Sequence, residues 1–177
     1  MKKALLPILL TVVFLAAYGC RHFGHDPERQ IHKAAGKSDW SEVEKLLDAN
    51  PELIRAADDD GRTLLHHAAG QCSPAATAML ISRGADANAR DKSGSTPLHL
   101  VCGSGYAWVR SHSSIYVEKA PVKSAEFLLK AGADVNARDE SGKTPLALSI
   151  EQRRDKLVEQ GRDKLVETLR EAGGKEG

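Results

Sequence analysis

The chain has 177 residues, enough for one domain and hardly for two. Hydrophobic residues make up 41% and aromatic residues only 5%, so a core must be built from Leu, Ala, Val and Ile. That favours thin helix-on-helix packing over a sheet sandwich. The net charge is +1, and without Lys2 and Lys3 the 25 basic residues become 23 against 24 acidic ones. Neither balance supplies the basic excess or stripe of a nucleic-acid binder.

Lys2 and Lys3 open the chain and lead into the apolar run "ALLPILLTVVFLAAYG", which ends at Cys20. A membrane-spanning helix needs about 20 apolar residues. This run is shorter and holds Pro7 and Gly19, so it reads as a secretory signal over residues 1–19. Its end, "LAAYGC", resembles the lipobox of bacterial lipoproteins. The resemblance implies cleavage before Cys20 and acylation of its thiol. Residues 20–28 would then form a short tether. Arg21 stands where an Asp would resemble an inner-membrane retention signal, which points to the outer membrane where there is one.

Beyond the tether the sequence repeats itself. The segments "DDDGRTLLHHAA", "DKSGSTPLHLVC" and "DESGKTPLALSI" align, and "LISRGADANARD" and "LLKAGADVNARD" precede the second and third of them. Gly61 and Gly94 lie 33 residues apart, while Gly94 and Gly142 lie 48 apart, one period plus an insertion of 15. A looser unit comes first, with Ile31, His32, Ala34 and Ala35 where Leu65, His66, Ala68 and Ala69 recur. Thr96 and Thr144 suit helix N-caps, and Pro97 and Pro145 suit the first helical position, where a missing N–H is harmless. Leu98, Val101 and Cys102 give one apolar face, and Gly84 and Gly132 suit left-handed helix ends.

A 33-residue period opening on T-P-L-H and closing on G-A-D-x-N resembles the ankyrin repeat. The expectation is an all-α repeat solenoid of about four ankyrin repeats over residues 29–174, preceded by the signal peptide. The units fall at about 29–57, 58–90, 91–138 and 139–174, with a tail at 175–177. No unit can bury its own apolar face, so stacking supplies the core.

Several departures carry information. The first unit closes on "DANPELI", Leu64 replaces the expected Pro in the second, and Ala147 replaces His in the fourth. The fourth unit also repeats eight residues, "RRDKLVEQ" then "GRDKLVET", a little over two helical turns. In the third, an insertion near 106–120 carries Tyr106, Trp108, Arg110, His112 and Tyr116. Trp, Tyr and Arg are the side chains most enriched at binding hot spots. The loop is therefore a candidate partner surface, the alternative being aromatics folded back on the stack.

No serine elbow, P-loop or metalloprotease motif occurs. His32, His66 and His99 share one repeat position and read as scaffold, while adjacent His66 and His67 point to different helix faces, so no metal site is expected, an adventitious one at His22 and His25 beside the tether being the alternative. Asp58, Asp59 and Asp60 read as a solvated turn, with calcium or a basic partner as alternatives. Cys72 and Cys102 fall three in-repeat positions apart on neighbouring units. Successive helices pack about 8–10 Å apart and a disulfide needs alpha carbons within about 7 Å, so free thiols are expected, a bridge being the alternative.

These readings favour a binding protein over an enzyme, with no cofactor and no small-molecule substrate. Ankyrin stacks bind proteins through finger tips and inner helices. By that resemblance the partner-binding residues are Asp59, Asp60, Arg62, His67 and Gln71, then Lys92, Ser93, Ser95 and Ser104, then Glu140, Ser141 and Lys143. The partner would be a protein of the periplasm or envelope, an enzyme to be inhibited or protected being one such case, and the lipid on Cys20 would supply the membrane contact. The alternatives are an envelope spacer without a discrete ligand and, last, an enzyme.

Overall fold

The computed structural model describes residues 26–103, 119–151 and 159–176. Eight α-helices lie among them, in four pairs: α1 (Pro27–Gly36) and α2 (Trp40–Ala49), α3 (Leu64–Gly70) and α4 (Pro74–Ser82), α5 (Pro97–Gly103) and α6 (Ala120–Lys130), α7 (Pro145–Glu151) and α8 (Glu159–Glu171). The first helices stack in the order α1, α3, α5, α7, and α4, α6 and α8 form a second row beside them. No strand occurs among the described residues, only an isolated bridge between Ala57 and Thr63. The all-α solenoid expected from the period is what forms.

Small residues make the inner row thin. Ala34, Ala35, Ala68 and Ala69 are buried beside Ile31, Leu64 and Leu65, and Leu98, Val101 and Cys102 are fully enclosed as one face of α5. Val43, Leu47, Leu80, Ala125, Leu128, Leu165 and Leu169 supply the other wall. Burying one such leucine contributes about 1.5–3 kcal/mol, so the stack is held by many modest contacts between neighbours. Leu157 and Val158, the first copy of the eight-residue duplication, lie outside the described residues. Their later counterparts Leu165 and Val166 are buried.

Helix ends follow the sequence chemistry. Asp26 accepts a hydrogen bond from the Glu28 N–H and Asp39 from the Glu42 N–H, and Pro27 and Pro74 open their helices. Gly84 and Gly132 sit at φ of 86° and 84°, the left-handed helix ends expected of them. The first unit instead closes through a 3-10 turn, Pro51–Arg55, which buries Leu53 and Ile54. The segment after α8 takes part in a contact that recurs between units. Asn88 donates to the Gly132 carbonyl and accepts from the Asp134 N–H. Asn136 repeats this one unit on, donating to the Gly173 carbonyl and accepting from the Lys175 N–H.

Candidate functional site: the finger row and a buried histidine cluster

Three fingers, each the turn-rich segment leading into a first helix, share one hydrogen-bond pattern. Asp58, Asp91 and Asp139 each accept backbone N–H bonds two and four residues on, at 2.8–3.0 Å. In each, the same aspartate's N–H donates to the carbonyl four residues later, closing the turn. Adjacent fingers then join through backbone: the Lys92 N–H donates to the Asp60 carbonyl at 2.9 Å and the Glu140 N–H to the Ser93 carbonyl at 3.0 Å. Gly61 and Gly94 need glycine twice over. Their φ values are 76° and 70°, and a Cβ would stand 3.1 Å from the next finger's backbone nitrogen.

Histidines brace this row from beneath. The His66 Nδ1 accepts from the Thr63 N–H at 3.1 Å, and the His99 Nδ1 from the Thr96 N–H at 3.1 Å. An N–H can only donate, so Nδ1 is bare and Nε2 carries the hydrogen. Each Nε2–H then donates across to the next finger, His66 to the Ser95 carbonyl at 3.0 Å and His99 to the Lys143 carbonyl at 3.1 Å. Burial holds both imidazoles below the usual histidine range, which the carbonyls oppose only in part. In the fourth unit Ala147 takes this position, and the Thr144 hydroxyl caps its N–H at 3.2 Å while donating to the Lys175 carbonyl at 2.6 Å.

The anticipated partner residues separate on this frame. Asp59, Asp60, Lys92, Ser93, Glu140 and Ser141 are exposed along the finger tips. Several others are tied into the scaffold. The Arg62 guanidinium pairs with Asp91 at 3.7 Å, Lys143 with Glu151 at 2.6 Å, and the Ser93 hydroxyl donates to Ser95 Oγ at 3.1 Å. Gln71 clasps the first two units together: it donates to the Ala35 carbonyl and accepts from the Ser38 hydroxyl, both at 2.8 Å. Cys20, Ser104, Tyr106, Trp108, Arg110, His112 and Tyr116 lie outside the described residues.

Two expectations need correction. Asp58 is no solvated turn residue like Asp59 and Asp60. Its Oδ1 closes the finger, and its Oδ2 lies 2.9 Å from His67 Nε2. Burial alone would raise its pKa, but the Arg62 and Asp60 N–H groups and His67 bring it below the usual carboxylate range. His32 does not brace a finger either. No threonine stands three residues before it, and both its ring nitrogens are shielded without a hydrogen-bond partner. Its ring faces that of His67, with centroids 5.6 Å apart, and burial followed by the neighbouring His67 depresses its pKa. Sequence reasoning missed this meeting of His32, Asp58 and His67. The available signal was His67 itself, which stands where the third and fourth units have Leu100 and Leu148.

Cys72 and Cys102 are buried free thiols, as expected, and burial pushes each up to about 12.

Residues 12–111 match a family model described as ankyrin repeats in three copies, and residues 93–140 match a single ankyrin repeat. The chain belongs to the ankyrin-repeat family. It is 32% identical over 78 residues to the "Probable 26S proteasome regulatory subunit p28" of Saccharomyces cerevisiae, covering 42% of this chain and 34% of that protein. It is 36% identical over 83 residues to the "BTB/POZ domain and ankyrin repeat-containing protein NPR3" of Oryza sativa subsp. japonica, covering 44% of this chain and 13% of that one. A "Transient receptor potential cation channel subfamily A member 1 homolog" of Caenorhabditis elegans is 34% identical over 80 residues, covering 45% and 7%. The chain thus spans about a third or less of the length of these relatives. Ankyrin repeats are protein–protein interaction modules, and a protein partner is what this fold serves.

Proposed function

We propose that this ankyrin stack works in the bacterial envelope, tethered by a lipid on Cys20 and facing the periplasm, where it binds a protein and inhibits or protects it. The observation that carries the binding surface is the finger row. Asp59, Asp60, Lys92, Glu140 and Ser141 are exposed on turns fixed by interior aspartates and joined by backbone bonds. A partner meeting such a row meets preorganised backbone turns, so little backbone entropy is lost on binding. The mixed signs suit a polar protein surface rather than nucleic acid. The anchor rests on the lipobox-like "LAAYGC". A tether of about eight residues reaches only about 25–30 Å, which confines the partner to the membrane's vicinity. Among the described residues no helix is long and apolar enough to cross a membrane.

Metabolic labelling with a palmitate analogue tests the anchor: label should enter the chain and vanish in Cys20→Ser, and an unlabelled native chain refutes it. Cross-linking in intact cells tests the surface. Asp60→Lys with Glu140→Lys should abolish a cross-linked adduct that Glu171→Lys, at the end of α8, leaves intact. Equal adduct in all three would remove the finger row from the binding reaction. Release or loss of a neighbouring envelope enzyme's activity on deletion of the gene separates inhibition from protection, and no change in any such activity favours the spacer reading.

A further inference from the structure

The junction of the first two units gathers three metal-ligating side chains from three separate segments: His32 from α1, Asp58 from the finger and His67 from α3. One ligand atom from each lies within 4.8 Å of the other two. We infer that these residues form a binding site for a divalent transition-metal ion, Zn2+ by the chemistry of its donors.

A second and independent feature points to a ligand. The His32 imidazole is buried, and neither ring nitrogen has a hydrogen-bond partner. At the matching position, His66 and His99 satisfy both nitrogens against threonine and the next finger. Buried polar groups in proteins are overwhelmingly paired, so a ring unpaired at both ends and turned toward a carboxylate and a second imidazole calls for an occupant. The site is also absent from the generic repeat. Asp91 and Asp139 occupy the place of Asp58, but Leu100 and Leu148 occupy that of His67.

Donor chemistry selects the ion. Two imidazoles and one carboxylate suit Zn2+ and its first-row neighbours, whereas Ca2+ and Mg2+ require oxygen ligands. At metal–ligand distances of about 2.0–2.2 Å, tetrahedral ligand atoms stand about 3.3–3.6 Å apart. The separations here, from the 2.9 Å His67–Asp58 contact to 4.8 Å, bracket that spacing, so small side-chain rotations suffice. Asp58 is already oriented, because Oδ1 is fixed by the Asp60 and Arg62 N–H groups while Oδ2 faces the histidines. Three protein ligands leave a fourth position for water or for a donor from a bound protein. Zn2+ there links α1 to α3 and ties the first unit to the second.

The full chain, stripped with a chelator, should bind one Zn2+ in competition with a chromophoric chelator, and Mg2+ should not displace it. His67→Leu carries the residue of the third and fourth units and so preserves packing. It should weaken Zn2+ binding by at least about 10-fold, as should His32→Gln. His22→Gln with His25→Gln should leave affinity unchanged. Imidazole nitrogen shifts by NMR add a readout independent of affinity, and those of His32 and His67 should move on adding Zn2+ while those of His66 and His99 stay fixed. The site is overturned if His67→Leu and His32→Gln bind Zn2+ as tightly as the parent chain, if the His22 and His25 pair carries the affinity, or if only His66 or His99 responds.

Discussion

Replacing His99 by alanine separates two jobs that one ring performs. The side chain is 1% exposed, accepts from the Thr96 N–H, and donates across the unit boundary to the Lys143 carbonyl. Neither loss is made good by the threonine. In the fourth unit, where alanine is native, the threonine hydroxyl accepts from the Ala147 N–H, which leaves the threonine's own N–H unserved by it. Among the described residues, the bond to the Lys143 carbonyl comes from the His99 ring and goes with it. An unmet carbonyl costs about 1–3 kcal/mol and partial collapse around the vacated ring about 1 kcal/mol more, so His99→Ala should destabilise the chain by about 2–4 kcal/mol. Urea unfolding followed by circular dichroism measures the total. Amide hydrogen exchange locates it: His99→Ala should speed exchange in the finger at residues 139–143, and His66→Ala in the finger at 91–95. A loss under about 0.5 kcal/mol, or exchange spread evenly over all fingers, would refute the bracing role.

The same rings set a pH response. His66 and His99 have folded pKa values below the ordinary 6.5, so the unfolded chain takes up protons first as pH falls. Stability from these groups is complete above about pH 6.5 and falls as pH drops through the unfolded value toward the folded ones. The urea midpoint should therefore decline from pH 7.5 to 5.5, and His66→Gln with His99→Gln should flatten the decline. Gly94→Ala should cost more than Gly142→Ala. Both glycines have φ above 70° or equal to it, but a Cβ at 94 meets the Glu140 nitrogen at 3.1 Å, while nothing lies within 4 Å of one at 142. Conformational strain alone is about 1–2 kcal/mol, and only Gly94→Ala should add loss of the Glu140-to-Ser93 backbone bond, read as faster exchange at Glu140. Finally, Cys72 and Cys102 should resist an alkylating reagent in the folded chain and react fully in urea, since burial disfavours both thiolates; rapid labelling of the native protein would contradict their enclosure.

What the sequence revealed followed from its periodicity. Leu98, Val101 and Cys102 could be placed on one buried face because helical spacing fixes direction, and Gly84 and Gly132 because only glycine takes a left-handed helix end at no steric cost. Side chains that act across unit boundaries were far less legible. Arg62 and Gln71 are polar residues at positions where ankyrin proteins meet partners, yet each is engaged within the fold with a neighbouring unit. Their engagement depends on the offset between neighbouring units, which no spacing within one unit encodes. The same limit hid the histidine cluster, whose members lie 26 and 9 residues apart and belong to two units.

That distinction shows how the first junction differs from the others. The second and third units, and the third and fourth, are joined by a histidine reaching from the interior to the next finger's carbonyl. The first and second have no such bond, because no threonine stands three residues before His32 and its ring makes no hydrogen bond to the second unit's finger. Polar contacts at the rim take its place: Gln71 to the Ala35 carbonyl, and Arg83 of the second unit to Asp48 at 2.6 Å and Glu44 at 3.2 Å in α2. Exposed ion pairs of this kind contribute about 0–1 kcal/mol and are screened by salt. The first unit should therefore be the one to open under moderate urea and high salt, with amide exchange in α1 and α2 outrunning that in α3 and α5. Saturating Zn2+ should slow it selectively, because an ion on His32, Asp58 and His67 spans that junction alone. If α1 instead exchanges together with α5 in every condition, the junctions are equivalent and the interior histidine bonds add nothing to the coupling between units.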